Sequence, residues 1–218
     1  MPVGRMTSAQ MRGLADIADR HGSGLLRLTV WQNLLISDIS AVAVPHVKKA
    51  LETLGFAWSA TNIRGALVAC TGNEGCKYSG ANTKKHALFL ADYLEKRLEM
   101  DQPLNIHLTG CPHSCAQHYI GDIGMQGTKV DVNGNMVEGY HVCVGGGYGP
   151  EQQIGRDIQK DIPFEDIPAK VEGLLRAYLD KRLSAKETFV QFTNRLTVEE
   201  IRAYFEPVVG QPLPVASQ

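Results

Sequence analysis

Apolar and polar positions along this chain follow two periods in turn, and each change of period marks an element. From Thr7 the spacing is helical. Thr7-x-x-Gln10 can close a capping box, and Met11, Leu14, Ile17 and Ala18 fall on one face. Gly22 and Gly24 stop this helix. LLRLTV, WQN and LLIS then read as a strand, a short turn or bulge and a second strand. Pro45 opens another helix, with Val47, Ala50, Leu51 and Leu54 inward and Gly55 as its end. Helix, strand, strand and helix in so short a span predict a small α+β unit over residues 1–62.

Residues 63–218 carry a second, larger pattern. Phe56 to Val68 leads through a short strand into a loop at Cys70. A helix is expected from near Ser79 to about Met100, with Leu88, Ala91, Leu94 and Leu98 as its buried stripe. LNIHLTG reads as a buried strand, and His107 on it as a core or edge histidine. Asp122 to Val144 alternates around Asn133-Gly134, the signature of a β-hairpin, with Cys143 as core packing on its second strand. A helix beginning near Pro168 presents Val171, Leu174, Leu175, Tyr178 and Leu179 on one side. ETFVQF is expected to be an extended or bent connector. The capping box Thr197-x-x-Glu200 starts a last helix with Ile201, Tyr204 and Phe205, and the tail from Pro207 is expected to be loose.

Candidate chemistry is concentrated in residues 70–115, which hold four of the five cysteines. Cys70 and Cys76 form a C-x5-C pair, and Cys111 and Cys115 a C-x3-C pair. A helix and a strand between them would bring the pairs together as a four-thiolate site. Structural zinc usually shows a C-x2-C knuckle, which neither pair supplies. An iron–sulfur cube is larger than one ion and accepts wider spacing. Gly72, Gly75 and Gly110 let backbone approach an inorganic cluster and aim N–H groups at it, and Pro112 stiffens the second loop. Loop thiolates for zinc remain an open alternative. Disulfides rank lower, since they would leave one cysteine unpaired.

Composition changes this picture little. The chain has 218 residues, 44% of them hydrophobic, and a formal net charge of −1, which is ordinary for a globular protein. No basic stripe suggests nucleic acid. No apolar run approaches the ~20 residues of a membrane span, and MPVGRMTSAQ does not read as a signal peptide. Cysteines kept as thiolates fit a reducing cytoplasm. Lys77, Lys84 and Lys85 could dock an acidic electron donor or hold carboxylates, or simply form a solvated face. Gly145 to Gly147 is not a dinucleotide fingerprint.

The two pairs with their flanks ACTGN, TGCP and IGDIGMQG resemble the sirohaem-containing nitrite and sulfite reductases, and the resemblance extends over nearly the whole chain. It implies an α+β fold, with a ferredoxin-like half-domain followed by a mixed α/β cluster- and sirohaem-binding domain. It implies that Cys70, Cys76, Cys111 and Cys115 hold a [4Fe–4S] cluster, and that Cys115 also bridges to the sirohaem iron. RLTVWQN resembles the element lying along the sirohaem, so Arg27, Thr29, Gln32 and Asn33 become candidate contacts to its carboxylates. His113 stands where the family most often has asparagine, and could donate a hydrogen bond to a propionate or cluster sulfide.

The implied reaction is the six-electron reduction of nitrite to ammonia, or of sulfite to sulfide. CTGN resembles the nitrite reductases and favours nitrite. The implied donor is ferredoxin or a flavoprotein. The family's polypeptide is expected to be about twice as long and built of two related halves, of which this chain matches the second. The residues that clamp substrate belong to the other half, so no catalytic residue is assigned. A homodimer could rebuild part of the missing surface. A cluster-carrying electron-transfer subunit without catalysis is the reading from a different class.

Overall fold

The computed structural model describes residues 1–207. The expectation for the tail lies outside these residues, apart from Pro207.

Helix α1 (Ser8–His21) starts at the expected capping box, with Thr7 and Gln10 bonded reciprocally, and ends at Gly22. Leu14, Ile17 and Ala18 are buried, whereas Met11 is exposed. Strands β1 (Leu26–Leu28) and β2 (Leu34–Ile36) are shorter than LLRLTV and LLIS suggested, and pair antiparallel as a two-stranded sheet of their own. Helix α2 (Val44–Thr53) takes Pro45 in its first turn. Its face is only partly covered: Val47 is buried, while Ala50, Leu51 and Leu54 remain half-buried.

The rest is built on a five-stranded sheet in the order β3 (Leu67–Ala69), β4 (Ile106–Thr109), β5 (Ile123–Val132), β6 (Asn135–Val144), β7 (Arg156–Pro163). The pairs β3–β4 and β4–β5 are parallel, and the remainder antiparallel. The β5–β6 hairpin turns at Asn133 and Gly134, both at positive φ, as an Asn-Gly two-residue turn requires. Helix α3 (Thr83–Glu95) crosses back between the parallel strands β3 and β4, and α4 (Ile167–Lys181) packs beside it. Leu90, Leu94, Ile106, Leu108, Ile123, Leu174 and Tyr178 are among the side chains of this core with 0% exposure.

Three elements differ from expectation. Helix α3 begins four residues after Ser79, because Gly80 donates to Gly110 O at 2.7 Å and Asn82 caps the helix through Lys85 N; it ends at Glu95, before Met100. ETFVQF is no plain connector: Thr188 and Gln191 form a capping box that starts α5 (Phe189–Asn194). Strand β7 was not expected at all. Only Ile158 and Ile162 point inward along it, and two irregularities in its register break the alternation that would have announced it. Helix α6 (Val198–Tyr204) forms at its expected capping box.

Candidate metal centre and its surroundings

Both cysteine loops leave the C-terminal ends of adjacent parallel strands, which is where open α/β sheets place their ligands. Cys70 follows β3 directly, and its N–H extends the ladder to Leu108 O at 3.0 Å. Gly72 at positive φ turns the chain, and its carbonyl accepts from both Gly75 and Cys76. The loop is then tied down by Asn73 N–H to Ala81 O at 3.1 Å. A methyl group on Gly72 would press on the Thr83 N–H and hydroxyl at 2.9 Å, so the approach there is open only to glycine.

The second loop leaves β4 through Gly110. Its N–H donates to the Cys70 sulfur at 3.1 Å, and its carbonyl accepts from Gly80, so the two loops are locked together at this point. A Cβ on Gly110 would collide with the Ser79 side chain. Ser114 and Gln117 both adopt left-handed backbone, which winds the loop tightly around Cys115. Ser114 N donates to Cys111 O at 3.1 Å, and Gln117 N to Ser114 O at 2.8 Å. His107 on β4 pins the far end, with Nδ1 3.0 Å from Gln117 O. It is buried as expected, and burial pulls its pKa below the ordinary value.

None of the five cysteines is paired in a disulfide. Cys70, Cys76 and Cys111 are half-buried, Cys115 is exposed and Cys143 is buried in the sheet. Among the described residues no three His, Cys, Asp or Glu side chains gather as ligands of one ion. The donor set fits a cluster through its chemistry: four unpaired thiols divided between two interlocked loops, with the Gly110 N–H at the Cys70 sulfur. Thr83 Oγ1 lies 3.6 Å from the Cys70 sulfur and donates to Cys70 O at 2.8 Å. Exposed His113 has Nδ1 3.6 Å from the Cys111 sulfur, with its ring edge-on to Tyr78.

The stretch expected to line a sirohaem divides in two. Arg27 on β1 is exposed, and among the described residues it has no ion-pair partner. The other three side chains are committed to the main chain. Gln32 donates to Ala69 O at 2.9 Å and accepts from Ala69 N at 3.2 Å. Asn33 donates to Gly65 O at 2.8 Å, and Thr29 Oγ1 accepts from Asn33 N at 3.1 Å. Gln32 therefore clamps the small unit to the residue before Cys70. Lys84 is likewise not a docking cation. It reaches inward to the carbonyls of Val3 and Ala69, and desolvation lowers its pKa.

Sequence reasoning passed over Glu138, His86, Tyr140 and Asp122. The first three meet at the foot of the Cys70–Cys76 loop, although up to 65 residues separate the partners. Asp122 is buried at the start of β5, and burial raises its pKa to about 7. No local pattern marks any of them.

Comparison with known proteins agrees with this geometry. Residues 1–54 match the nitrite/sulfite reductase ferredoxin-like half domain, and residues 59–213 the nitrite and sulphite reductase 4Fe-4S domain. Fold and family model together place the chain in a class of iron–sulfur domains that belong to oxidoreductases. Within that class, the chain belongs to the nitrite and sulfite reductase family, whose cofactors are a [4Fe–4S] cluster and sirohaem.

Among its relatives is the ferredoxin–nitrite reductase of Synechococcus elongatus, 35% identical over 85% of this chain and 36% of that protein. Another is a ferredoxin sulfite reductase of Mycolicibacterium paratuberculosis, 34% identical over 92% of this chain and 37% of that protein. The structure of the Mycobacterium tuberculosis NirA protein superposes with a TM-score of 0.85 at 33% identity, over 92% of this chain and 38% of that one. Dissimilatory sulfite reductase I shares the fold, with a TM-score of 0.77 at 13% identity over 99% of this chain and 71% of that one. The chain spans little more than a third of the length of these curated relatives, less than the half expected.

Proposed function

We propose that residues 63–218 form the [4Fe–4S]- and sirohaem-binding domain of a nitrite reductase, preceded by a ferredoxin-like half-domain at residues 1–62. The reaction is the six-electron reduction of nitrite to ammonia, with ferredoxin as the class of electron donor. The observation that carries the reading is the interlock of the two cysteine loops, where the Gly110 N–H donates to the Cys70 sulfur at 3.1 Å. An N–H on a thiolate sulfur favours the anionic ligand and tunes the potential of the metal it holds.

In this reading Cys70, Cys76, Cys111 and Cys115 would hold the cluster, and Cys115, the exposed one of the four, would also serve the sirohaem. Once bound, the two cofactors supply stored electrons and an iron that takes up the oxyanion. Arg27, exposed and unpaired among the described residues, suits a sirohaem carboxylate. Thr29, Gln32 and Asn33 act behind it, holding the β1–β2 turn against β3, and His113 stands beside Cys111 as a hydrogen-bond donor.

The protein works as part of a larger or dimeric assembly. Support comes from the small unit: Leu28 and Val30 are 76% and 84% exposed, and among the described residues its two-stranded sheet has no strand on either outer edge. A cavity of about 650 Å³ between the small unit and β3, lined by Leu34, Ile36, Val47, Trp58 and Leu67, adds to it. Among the described residues no helix is long and apolar enough to cross a membrane.

The motif CTGN at Cys70 supports nitrite as substrate. Sulfite is the second reading, supported by relatives named sulfite reductases at similar identity, 34% over 92% of the chain. The third is a cluster-carrying electron-transfer subunit. Anaerobically purified protein, made with sirohaem synthesis, is assayed with a reduced viologen dye. Nitrite consumed faster than sulfite at matched concentration supports the first reading, and the reverse order overturns it. Cluster without sirohaem or turnover supports the third.

A further inference from the structure

The first cysteine loop is held from outside by a side chain of the β5–β6 hairpin. The Glu138 carboxylate accepts from the Asn73 side chain, in the middle of the Cys70–Cys76 loop. It also accepts from the main-chain N–H of Asn82 at 2.8 Å, the residue that caps α3. A third donor is His86, one turn further along α3, with Nε2 3.3 Å from Oε2. Because a carboxylate only accepts, His86 carries its proton on Nε2. Its Nδ1 then accepts from the hydroxyl of Tyr140, 2.8 Å away and 0% exposed, two residues along β6 from Glu138 on the same face. Phe164 stacks flat on the imidazole at 3.6 Å and fixes its plane.

Burial, only partly offset by Glu138, lowers the His86 pKa to about 4, so the ring is neutral near pH 7. Lys85 and Lys129 are the cations that face this network, Lys129 at 3.7 Å from Glu138. Charge-assisted bonds to the middle of the loop and to the N-cap of α3, backed by a buried Tyr–His pair, make a rigid outer support.

We propose that Glu138 is a positioning residue for the cluster: through Asn73 and Asn82 it fixes the loop that presents Cys70 and Cys76, and the Tyr140–His86 pair holds Glu138 in place. The first half of this rests on the reading of those cysteines as ligands, and the second does not.

The test compares the full chain with Glu138→Ala, Glu138→Gln and Lys129→Met. In iron-free protein, amide hydrogen exchange at Asn82 is expected to quicken about 10–100-fold in Glu138→Ala, from the loss of a charge-assisted bond. Glu138→Gln keeps one acceptor oxygen and is expected to fall between the two. Lys129→Met removes the half-exposed cation 3.7 Å from Glu138 but none of its bonds to Asn73, Asn82 or His86, and stays within about twofold of the parent.

In reconstituted protein, iron loss to a chelator follows the same order, about 10–100-fold faster for Glu138→Ala. Long-range proton–nitrogen spectra of the parent at pH 7 show His86 protonated on Nε2 alone. Unchanged Asn82 exchange in Glu138→Ala, or His86 protonated on Nδ1, overturns the support. Altered exchange with unchanged iron loss overturns its role toward the cluster. A parent that takes up no iron sinks the ligand reading, and the exchange and spectra still decide whether Glu138 orders the loop.

Discussion

Replacing Asp122 by asparagine should stabilise the chain at neutral pH and leave it nearly unchanged in acid. Asp122 is 3% exposed. One oxygen accepts from Asn105 N–H at 2.8 Å, and the other has no hydrogen-bond partner. Burial lifts its pKa from 3.8 to about 7, and the single bond offsets only part of this. The folded chain therefore binds this proton more tightly than the unfolded chain. The stability it contributes is full below pH about 4 and is lost as pH rises to about 7, by about 4 kcal/mol at most.

His86, His107 and His118 are held below the ordinary histidine value by desolvation. They favour the neutral ring in the fold, so they lose stability as pH falls through the same range. Both proteins contain them, so they cancel in the difference between variant and parent. That difference should be near zero at pH 4 and reach about 2–4 kcal/mol at pH 8, allowing about 1 kcal/mol for the weaker bond of an amide to Asn105. Near pH 8 it corresponds to a melting temperature raised by roughly 5–10 °C. Urea unfolding at a series of pH values measures it. A difference that does not vary with pH, or a variant less stable than the parent at pH 8, would refute the reasoning.

Three further substitutions probe the site. Gly110→Ala forces a methyl against Ser79, whose Cβ would lie 2.7 Å away, and should cost about 1–3 kcal/mol and lower bound iron; a normal melt with full iron content argues against the interlock. Gln32→Ala removes both bonds to Ala69 and should cost about 1–3 kcal/mol. In native-state hydrogen exchange the loss should appear first in residues 8–53, and unchanged protection there would show that the clamp contributes nothing. Cys143→Ala should leave iron content unchanged, since its thiol is buried and burial pushes its pKa up to about 11; a fall in iron would make it a ligand.

What local chemistry could announce was legible in the chain. The capping boxes at Thr7 and Thr197 begin helices because each closes within four residues. The Asn133-Gly134 turn fixes the register of a hairpin with ten residues on each side. Thr188 and Gln191 carry the same capping signal inside the stretch that reads as a connector. The C-x5-C and C-x3-C spacings pointed to the two loops that the structure interlocks.

The rest depends on contacts between distant residues. Gln32 sits in an exposed-looking turn, and only the fold shows that its amide is spent on Ala69, 37 residues away. Lys84 reads as one cation of a surface cluster, and only the fold brings the carbonyls of Val3 and Ala69 to its ammonium. Glu138 is an ordinary polar position on an alternating strand. Its partners at Asn73 and Asn82 exist only once β6 lies beside the first cysteine loop.

Iron and acid-labile sulfide counted on the anaerobically purified chain, beside the same count for Cys76→Ser, test the central claim most directly. About four of each per chain, with a marked loss in the variant, is the result expected if Cys70, Cys76, Cys111 and Cys115 hold a [4Fe–4S] cluster. Zinc in place of iron, iron without sulfide, or a full count in Cys76→Ser would contradict it.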